Sequence, residues 1–296
     1  LKIAEENNIT KAAEKLFITQ SALNQQLLKL EKELGTPLFH RSRTNWRLTE
    51  AGEIYIEGAK AALQIKNTTY NRIYDVVSAR KGHLTIGLTP GRGLRMFTAI
   101  YPELHRSFPN LDVRPIEMRV RAQQDAIAKG EIDVGLMTLA RRDQTSDTYY
   151  PLKEELVLII PAGHPLAAKA APSGKPLATL DLTELRYEPF VLMDKTSTLR
   201  SSCDLLFEKA GFAPNILFET NNTSGIAAMV QSTLCCGIIP RYYTLGLTEG
   251  VACFSLPERP SWEIVISCQK NGYLNSGARE FIRLAREYWE NSAPLF

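Results

Sequence analysis

Long apolar runs are missing from this 296-residue chain. The longest, such as Leu156-Val157-Leu158-Ile159-Ile160, are far short of the ~20 residues a membrane-spanning helix needs, so a helical membrane protein is not expected. Histidine is scarce, at 4, and the 5 cysteines (Cys203, Cys235, Cys236, Cys253, Cys268) include no pair at metal-ligand spacing. Neither a metal site nor a disulfide framework is expected, and an odd set of reduced thiols suits a cytosolic protein. No charged-then-apolar leader precedes the first segment, which also reads as cytoplasmic. Glycine (18) and proline (16) stay near background, excluding collagen-like and low-complexity chains. No nucleophile, base and orienting group fall into a motif and no phosphate loop appears, so turnover chemistry is not expected.

What is present is ordinary globular material, 44% hydrophobic and 23% charged, with one asymmetry. Residues 1–81 hold 13 Lys/Arg against 9 Asp/Glu, while the remainder holds 22 against 23. Arg41, Arg43 and Arg47 lie within His40–Thr49, a stretch with no acid. A basic front end on a neutral body points to a polyanion partner for the front end.

Leu1–Asn8 reads as a helix that begins abruptly, without Met or a cap, so its start is expected upstream. Thr10 is the expected N-cap of a short helix bearing Ala13 and Leu16, and Phe17-Ile18-Thr19 breaks the pattern. A second helix runs from Gln20 to Leu34 on a stripe of Leu23, Leu27, Leu30 and Leu34, stopped by Gly35. Helix, three-residue break, helix is the helix-turn-helix layout. The opposite face carries Ser21, Asn24, Gln25 and Lys29, with Gln20 and Ala22 at its leading end. Short amides and hydroxyls near a helix N-terminus suit base edges in a major groove. Phe39–Thr49 can then form two short strands around an arginine-bearing turn, a wing that grips phosphates. From Thr49 to about Ala79 the spacing predicts one long helix with Ile54, Ala61, Ile65, Thr69, Ile73 and Val76 on a stripe. That stripe is too thin to bury alone and calls for a second chain.

Beyond Gly82 short apolar strands alternate with helices. Strands are expected at His83–Leu88, Val113–Met118, Ile132–Met137, Leu156–Ile160, Phe190–Met193, Ile216–Glu219, Gly237–Ile239 and Trp262–Cys268. Helices are expected at Leu94–Phe108, Gln123–Lys129, Leu199–Ala210, Ile226–Gln231 and Ser276–Trp289. Such alternation predicts an α/β sheet of parallel strands, with Pro161–Lys175 as a crossover between two lobes.

Ala12-Ala13, Leu16, Thr19-Gln20, Ala22, Gln26, Leu30-Glu31, Leu34-Gly35, Leu38-Phe39, Arg41 and Leu48-Thr49-Glu50-Ala51-Gly52 resemble the winged helix-turn-helix signature of LysR-type transcriptional regulators. Phe108-Pro109, Gly130-Glu131-Ile132-Asp133, His164-Pro165-Leu166-Ala167 and Gly211-Phe212-Ala213-Pro214 continue the match, which covers almost the whole chain. The resemblance implies an α/β protein with an N-terminal all-α winged helix-turn-helix. Its C-terminal part would be a two-lobed, periplasmic-binding-protein-like (type 2) α/β effector domain. It implies a DNA-binding domain at 1–49, a linker and dimerisation helix at 50–80, and an effector-binding domain at 81–296. Lobe one would be 84–160 plus 269–296, and lobe two 161–268. It further implies promoter DNA and RNA polymerase as partners, assembly as a homodimer or homotetramer, and a small-molecule inducer in place of any cofactor. Base-contacting positions match Gln20, Ser21, Ala22, Asn24, Gln25 and Gln26, and phosphate-contacting ones Arg41, Arg43 and Arg47. The chain departs from the family pattern at Ser21, Asn24 and Gln25, and Thr233 and Cys235 stand where glycines are usual.

In such a fold ligands lie at the carboxyl ends of strands, near helix N-termini. Thr89, Pro90, Gly91 and Arg92 follow the first strand of the α/β region, and two glycines there would open backbone N–H groups to an anion. Thr196, Ser197 and Thr198 precede the helix from Leu199. Arg119, Val120, Thr138, Asn221, Asn222 and Thr223 complete the expected lining, with Arg92, Arg95 and Arg119 lending positive potential. An anionic inducer is therefore expected, its apolar part against Met96, Met137 or Met193. Two alternatives remain: a constitutive DNA-binding regulator with a self-filled cleft, and a solute-binding protein, which would lack residues 1–49.

Overall fold

The computed structural model describes residues 1–42, 45–77, 80–139, 146–172, 174–247, 249–270 and 272–291, with backbone alone at 146–151 and 246. The chain divides into two compact units, Leu1–Val76 and Val77–Phe296. No described helix is long and apolar enough to cross a membrane.

The first unit opens with α1 (Lys2–Glu6), α2 (Ile9–Lys15) and α3 (Gln20–Leu34). Asn8, not Thr10, caps α2: its side chain accepts the N–H groups of Thr10 and Lys11 at 2.9 and 3.0 Å. Asn is the better cap because its carbonyl reaches the first-turn donors while its own backbone stays extended. The Thr10 hydroxyl instead donates to Gln20 Oε1 at 3.0 Å, tying α2 to the start of α3. Thr19 caps α3, and Gly35 ends it at φ 71°. The leucine stripe is buried only in part. Leu27 packs with Ile3, Ile9, Ala12, Leu38 and Phe39, Leu23 and Leu30 flank that core, and Leu34 stays exposed because α3 outruns it.

Strands β1 (Phe39–His40) and β2 (Arg47–Leu48) pair antiparallel and form the expected wing. Then comes α4 (Glu50–Val76), the long helix. The corner into it is tight. A Cβ on Gly52 would lie 2.0 Å from the Leu38 carbonyl oxygen, so only glycine fits there. The Thr49 hydroxyl donates to Pro37 O and accepts the Gly52 N–H, fixing that corner.

The second unit is built on a mixed sheet rather than a parallel one. Strands β3 (Lys81–Leu88), β4 (Asn110–Glu117) and β5 (Val134–Leu139) run parallel, as the alternation predicts. Helices α5 (Arg92–Ser107) and α6 (Val120–Ala128) supply their crossovers. The long strand β6 (Ser146–Pro161) follows, and β7 (Pro189–Met193) with β8 (Asn215–Thr220) form a separate parallel pair. After these come α7 (Thr198–Lys209), α8 (Thr223–Gln231), β9 (Gly237–Pro240), β10 (Val251–Ser255), β11 (Ser261–Gln269) and α9 (Ser276–Asn291). Sheet order is β10-β6-β11-β5-β3-β4, with β9 also on β6. Strands β9, β10 and β11 all meet β6 antiparallel, the chain returning to β6 only after β7, α7, β8 and α8.

Two cores result. One gathers Leu84, Ile86, Leu88, Met96, Leu136, Ile264, Ile266, Phe281 and Trp289. The other gathers Leu156, Leu158, Ile160, Phe190, Leu192, Phe207, Ile238 and Phe254. The lobe boundaries expected at 160 and 268 therefore shift. The C-terminal half of β6 packs in lobe two, and the central isoleucines of β11 pack in lobe one.

Candidate functional site: a cleft between two lobes

Between the lobes lies a cleft of about 420 Å³. It is lined by Thr89, Pro90, Gly91, Arg92, Arg119, Val120, Thr138, Thr196, Ser197, Thr198, Asn222 and Thr223, all the positions singled out from sequence. The structure brings these together because β3, β4, β5, β7 and β8 all point their carboxyl ends at it. Met193 and Asn221, also expected there, line it too, and the structure adds Asp194, Leu199, Ser224, Pro240, Tyr243 and Trp262. Met96 and Met137, expected as apolar walls, are buried in lobe one's cores instead.

Four helices begin at the cleft. Ser197 caps α7 by accepting the Leu199 N–H, and Asn222 caps α8 by accepting that of Ser224. Gly91 and Arg119, at the starts of α5 and α6, offer no side-chain cap. At α5 the turn closes on itself: the N–H groups of Arg92 and Gly93 donate to Pro90 O and Thr89 O, both at 3.0 Å. The two glycines thus shape a turn, with Gly91 at φ 73°, rather than opening donors to an anion.

The arginines differ from expectation in the same direction. Arg92 is 4% exposed and forms a bidentate pair with Glu154, which is fully buried. Glu154 also accepts from Trp262 Nε1 at 2.7 Å and from the Tyr242 N–H at 2.9 Å. The guanidinium carbon sits 4.7 Å from the Tyr242 ring centre, 5.5 Å from Tyr243 and 5.8 Å from Trp289. A charge this deep is held only because it is paired, so Arg92 braces the cleft wall and lends no free potential. Arg119 reaches across to Asp194 at 2.9 Å and to the Thr196 hydroxyl. Hydrogen bonds from Thr196, and then from Arg119, hold the Asp194 carboxyl below the usual carboxylate range. Arg95 lies outside the cleft, with Nη1 3.5 Å from the Tyr242 hydroxyl. The surface facing the cavity is mostly apolar, with Val120, Met193, Leu199, Pro240 and Trp262 among its lining, and hydroxyl and amide groups are set into it.

In the first unit Gln20, Ser21, Ala22, Gln25, Gln26 and Lys29 are exposed on α3 and Asn24 is half-buried, so the amide and hydroxyl face is open to a partner. Arg47 is exposed on β2, and Arg43 lies outside the described residues. Arg41 has an unanticipated attachment: it pairs with the buried Glu31 of α3 and sits 5.3 Å over the Trp46 ring. Glu31 Oε1 accepts the Leu38 N–H at 2.8 Å, so one carboxylate joins the helix to the wing. Among the cysteines, burial pushes the Cys203 and Cys236 thiols up to about 12 and Cys253 to about 11, which keeps them protonated and inert.

The match to known proteins agrees with this architecture. Residues 1–53 match the family of bacterial regulatory helix-turn-helix proteins of the lysR type, and residues 78–290 match the LysR substrate binding domain. The chain belongs to the LysR family of transcriptional regulators. It is 30% identical over 235 residues to a probable RuBisCO transcriptional regulator of Cyanidioschyzon merolae, covering 77% of this chain and 75% of that one. It is 26% identical to the Hca operon transcriptional activator HcaR of Escherichia coli, covering 96% and 94%. Among solved structures, full-length OxyR from Pseudomonas aeruginosa superposes with a TM-score of 0.67 at 22% identity, covering 97% and 91%.

Proposed function

We propose that this chain is a sequence-specific DNA-binding regulator controlled by a small polar inducer, of anionic character, held between the two lobes. The cleft carries the reading: about 420 Å³ is ample for a small metabolite, and its walls come from both lobes. An occupant touching both walls changes their relative free energy, which is what an inducer must do. The anionic preference is supported by the starts of α6, α7 and α8 rather than by arginines, since both cleft arginines are already paired. The open volume weighs against a constitutive regulator with a self-filled cleft.

Promoter DNA is the proposed partner of α3 and the wing, with α3 in a major groove. The α4 stripe leaves Ile54 68%, Ile65 69% and Val76 84% exposed in the single chain, so pairing with a second copy, as a dimer or tetramer, is part of the proposal. Sedimentation as a monomer at micromolar concentration would refute the pairing. RNA polymerase is the proposed downstream partner and a cytoplasmic location follows from these roles. No cofactor is needed.

The test is a thermal-shift screen of small carboxylates on the full chain, followed by calorimetric titration of the first hit with parent and Thr198→Ala. Losing the Thr198 hydroxyl should weaken binding by about 0.5–1.5 kcal/mol, the worth of one neutral hydrogen bond. Hits that are all neutral or cationic refute the anionic class, and equal affinity for both proteins removes Thr198 from the site.

A further inference from the structure

The turn between α2 and α3 holds the most exposed large apolar side chain among the described residues. Phe17 is 95% exposed, between Leu16 at 42% and Ile18 at 45%. Its backbone lies at φ 57°, the left-handed region that normally goes to glycine. Phe17 N–H donates to Glu14 O and Ile18 N–H to Ala13 O, both at 3.1 Å, so the position closes the end of α2. Any side chain is strained there, and this one is also left in water. The turn needs the left-handed backbone but not a phenylalanine, and the exposed ring does not help the unit to fold.

Both features make sense if the ring meets something outside the chain. Three residues on, Gln20 begins α3, and three residues of chain span at most about 10 Å. Gln20, Ser21 and Gln25, on the amide and hydroxyl face of α3, are exposed in this unit, as are Lys11 and Lys29. A protein-binding anchor is usually centred in a ring of further contacts that exclude water. The amides, hydroxyl and lysines exposed in this unit suit nucleic acid, and phenylalanine is among the side chains that meet the thymine methyl in a major groove. We propose that Phe17 is a DNA-contact residue whose ring packs on an apolar feature of the operator, a thymine methyl or a deoxyribose, and so helps to set sequence preference. The proposal rests on α3 being the DNA-reading helix.

The test uses the full chain and a duplex selected from random DNA by the parent. Affinity is read by fluorescence anisotropy for the parent, Phe17→Gly and Phe17→Asn. Gly and Asn both tolerate positive φ, and Asn keeps the turn stiffer, which separates loss of the ring from loss of rigidity. Both variants should melt a few degrees higher than the parent, yet bind the duplex about tenfold more weakly. Replacing thymines by uracil one at a time then distinguishes the two apolar features. A methyl contact predicts about a fourfold loss for the parent at one position, the worth of one buried methyl, and none for the variants. Weaker variants with no uracil effect in the parent place the ring on deoxyribose, within the same proposal. Parent-like affinity in both variants would overturn it and give the ring to a protein partner. A parent that selects no DNA would overturn the reading of α3 itself, a result distinguishable from the preceding one.

Discussion

Glu154 is the residue on which the cleft wall depends most, and replacing it by glutamine isolates the reason. The parent carboxylate, fully buried, receives two nitrogens of Arg92, the Trp262 indole and the Tyr242 N–H. Glutamine keeps the shape and one acceptor oxygen, but removes the charge and turns an NH2 group toward donors. Arg92, at 4% exposure, is then a buried charge without a counter-charge. Breaking a buried pair in this way costs about 3–5 kcal/mol. At 2–4 °C per kcal/mol for a unit of this size, melting of Val77–Phe296 should fall by roughly 10 °C. The three neighbouring rings offset part of the cost through cation–π attraction, about 0.5–2 kcal/mol, which favours the lower end of that range. Adding Arg92→Met removes the stranded charge, so the double variant should be more stable than Glu154→Gln alone by at least about 1 kcal/mol. Urea unfolding of parent, both single variants and the double variant forms a closed cycle. A loss below about 1 kcal/mol for Glu154→Gln, or a double variant weaker than both singles, would refute the brace.

Two further outcomes follow from backbone strain and from charge. Thr233 sits at φ 66°, where a β-branched residue is a genuine outlier, so Thr233→Gly should raise stability by about 1 kcal/mol, seen as a few degrees in calorimetry; an unchanged or lower melting temperature would mean that the turn is unstrained. Asp194 has its folded pKa depressed, so its contribution to stability is present above the unfolded carboxylate value and is lost as pH falls through the folded one. The advantage of the parent over Asp194→Asn should hold at neutral pH and vanish as pH drops below about 4, and an advantage that persists unchanged to about pH 2 would exclude the Asp194 carboxylate as its source.

Much of the molecule was legible because its signals are periodic. The stripe of α3, the Gly35 stop and the alternating strands after Gly82 each reflect a local rule that the tertiary structure did not override. The starts of α5, α6 and α8 were read two or three residues late. Their first turns face the cleft and are polar or glycine-rich, so hydrophobic spacing is silent there. The same turns carry Arg92, Val120 and Thr223, so error in element boundaries and presence in the cleft have one cause. Glu154 was missed, though an acid just ahead of the run Leu156–Ile160 signals a buried partner: its four donors come from residues 62 to 108 positions away. Arg41 was read as a phosphate ligand from its neighbours in sequence, and its pairing with Glu31 depends on how the wing folds back on α3. Mixed strand direction was illegible for a simpler reason, since a period of two is the same whichever way a neighbour runs.

Strand β6 belongs to neither lobe alone, and that has a mechanical consequence. Its residues 146–155 lie against β11 and its residues 156–161 between β9 and β10, so one continuous ribbon of backbone hydrogen bonds ties both halves of the unit together. A joint of this kind resists stretching and bending far more than torsion. Opening the lobes like a pair of jaws would tear ladder bonds, whereas winding or unwinding the ribbon by a few degrees leaves them intact. The register of β11 against β6 slips between Ile264 and Ile266, and a slipped register is the softest place in such a spring. For the inducer proposed above, such a ribbon would translate occupancy of the cleft into torque rather than closure, with the irregular step between Ile264 and Ile266 in its path.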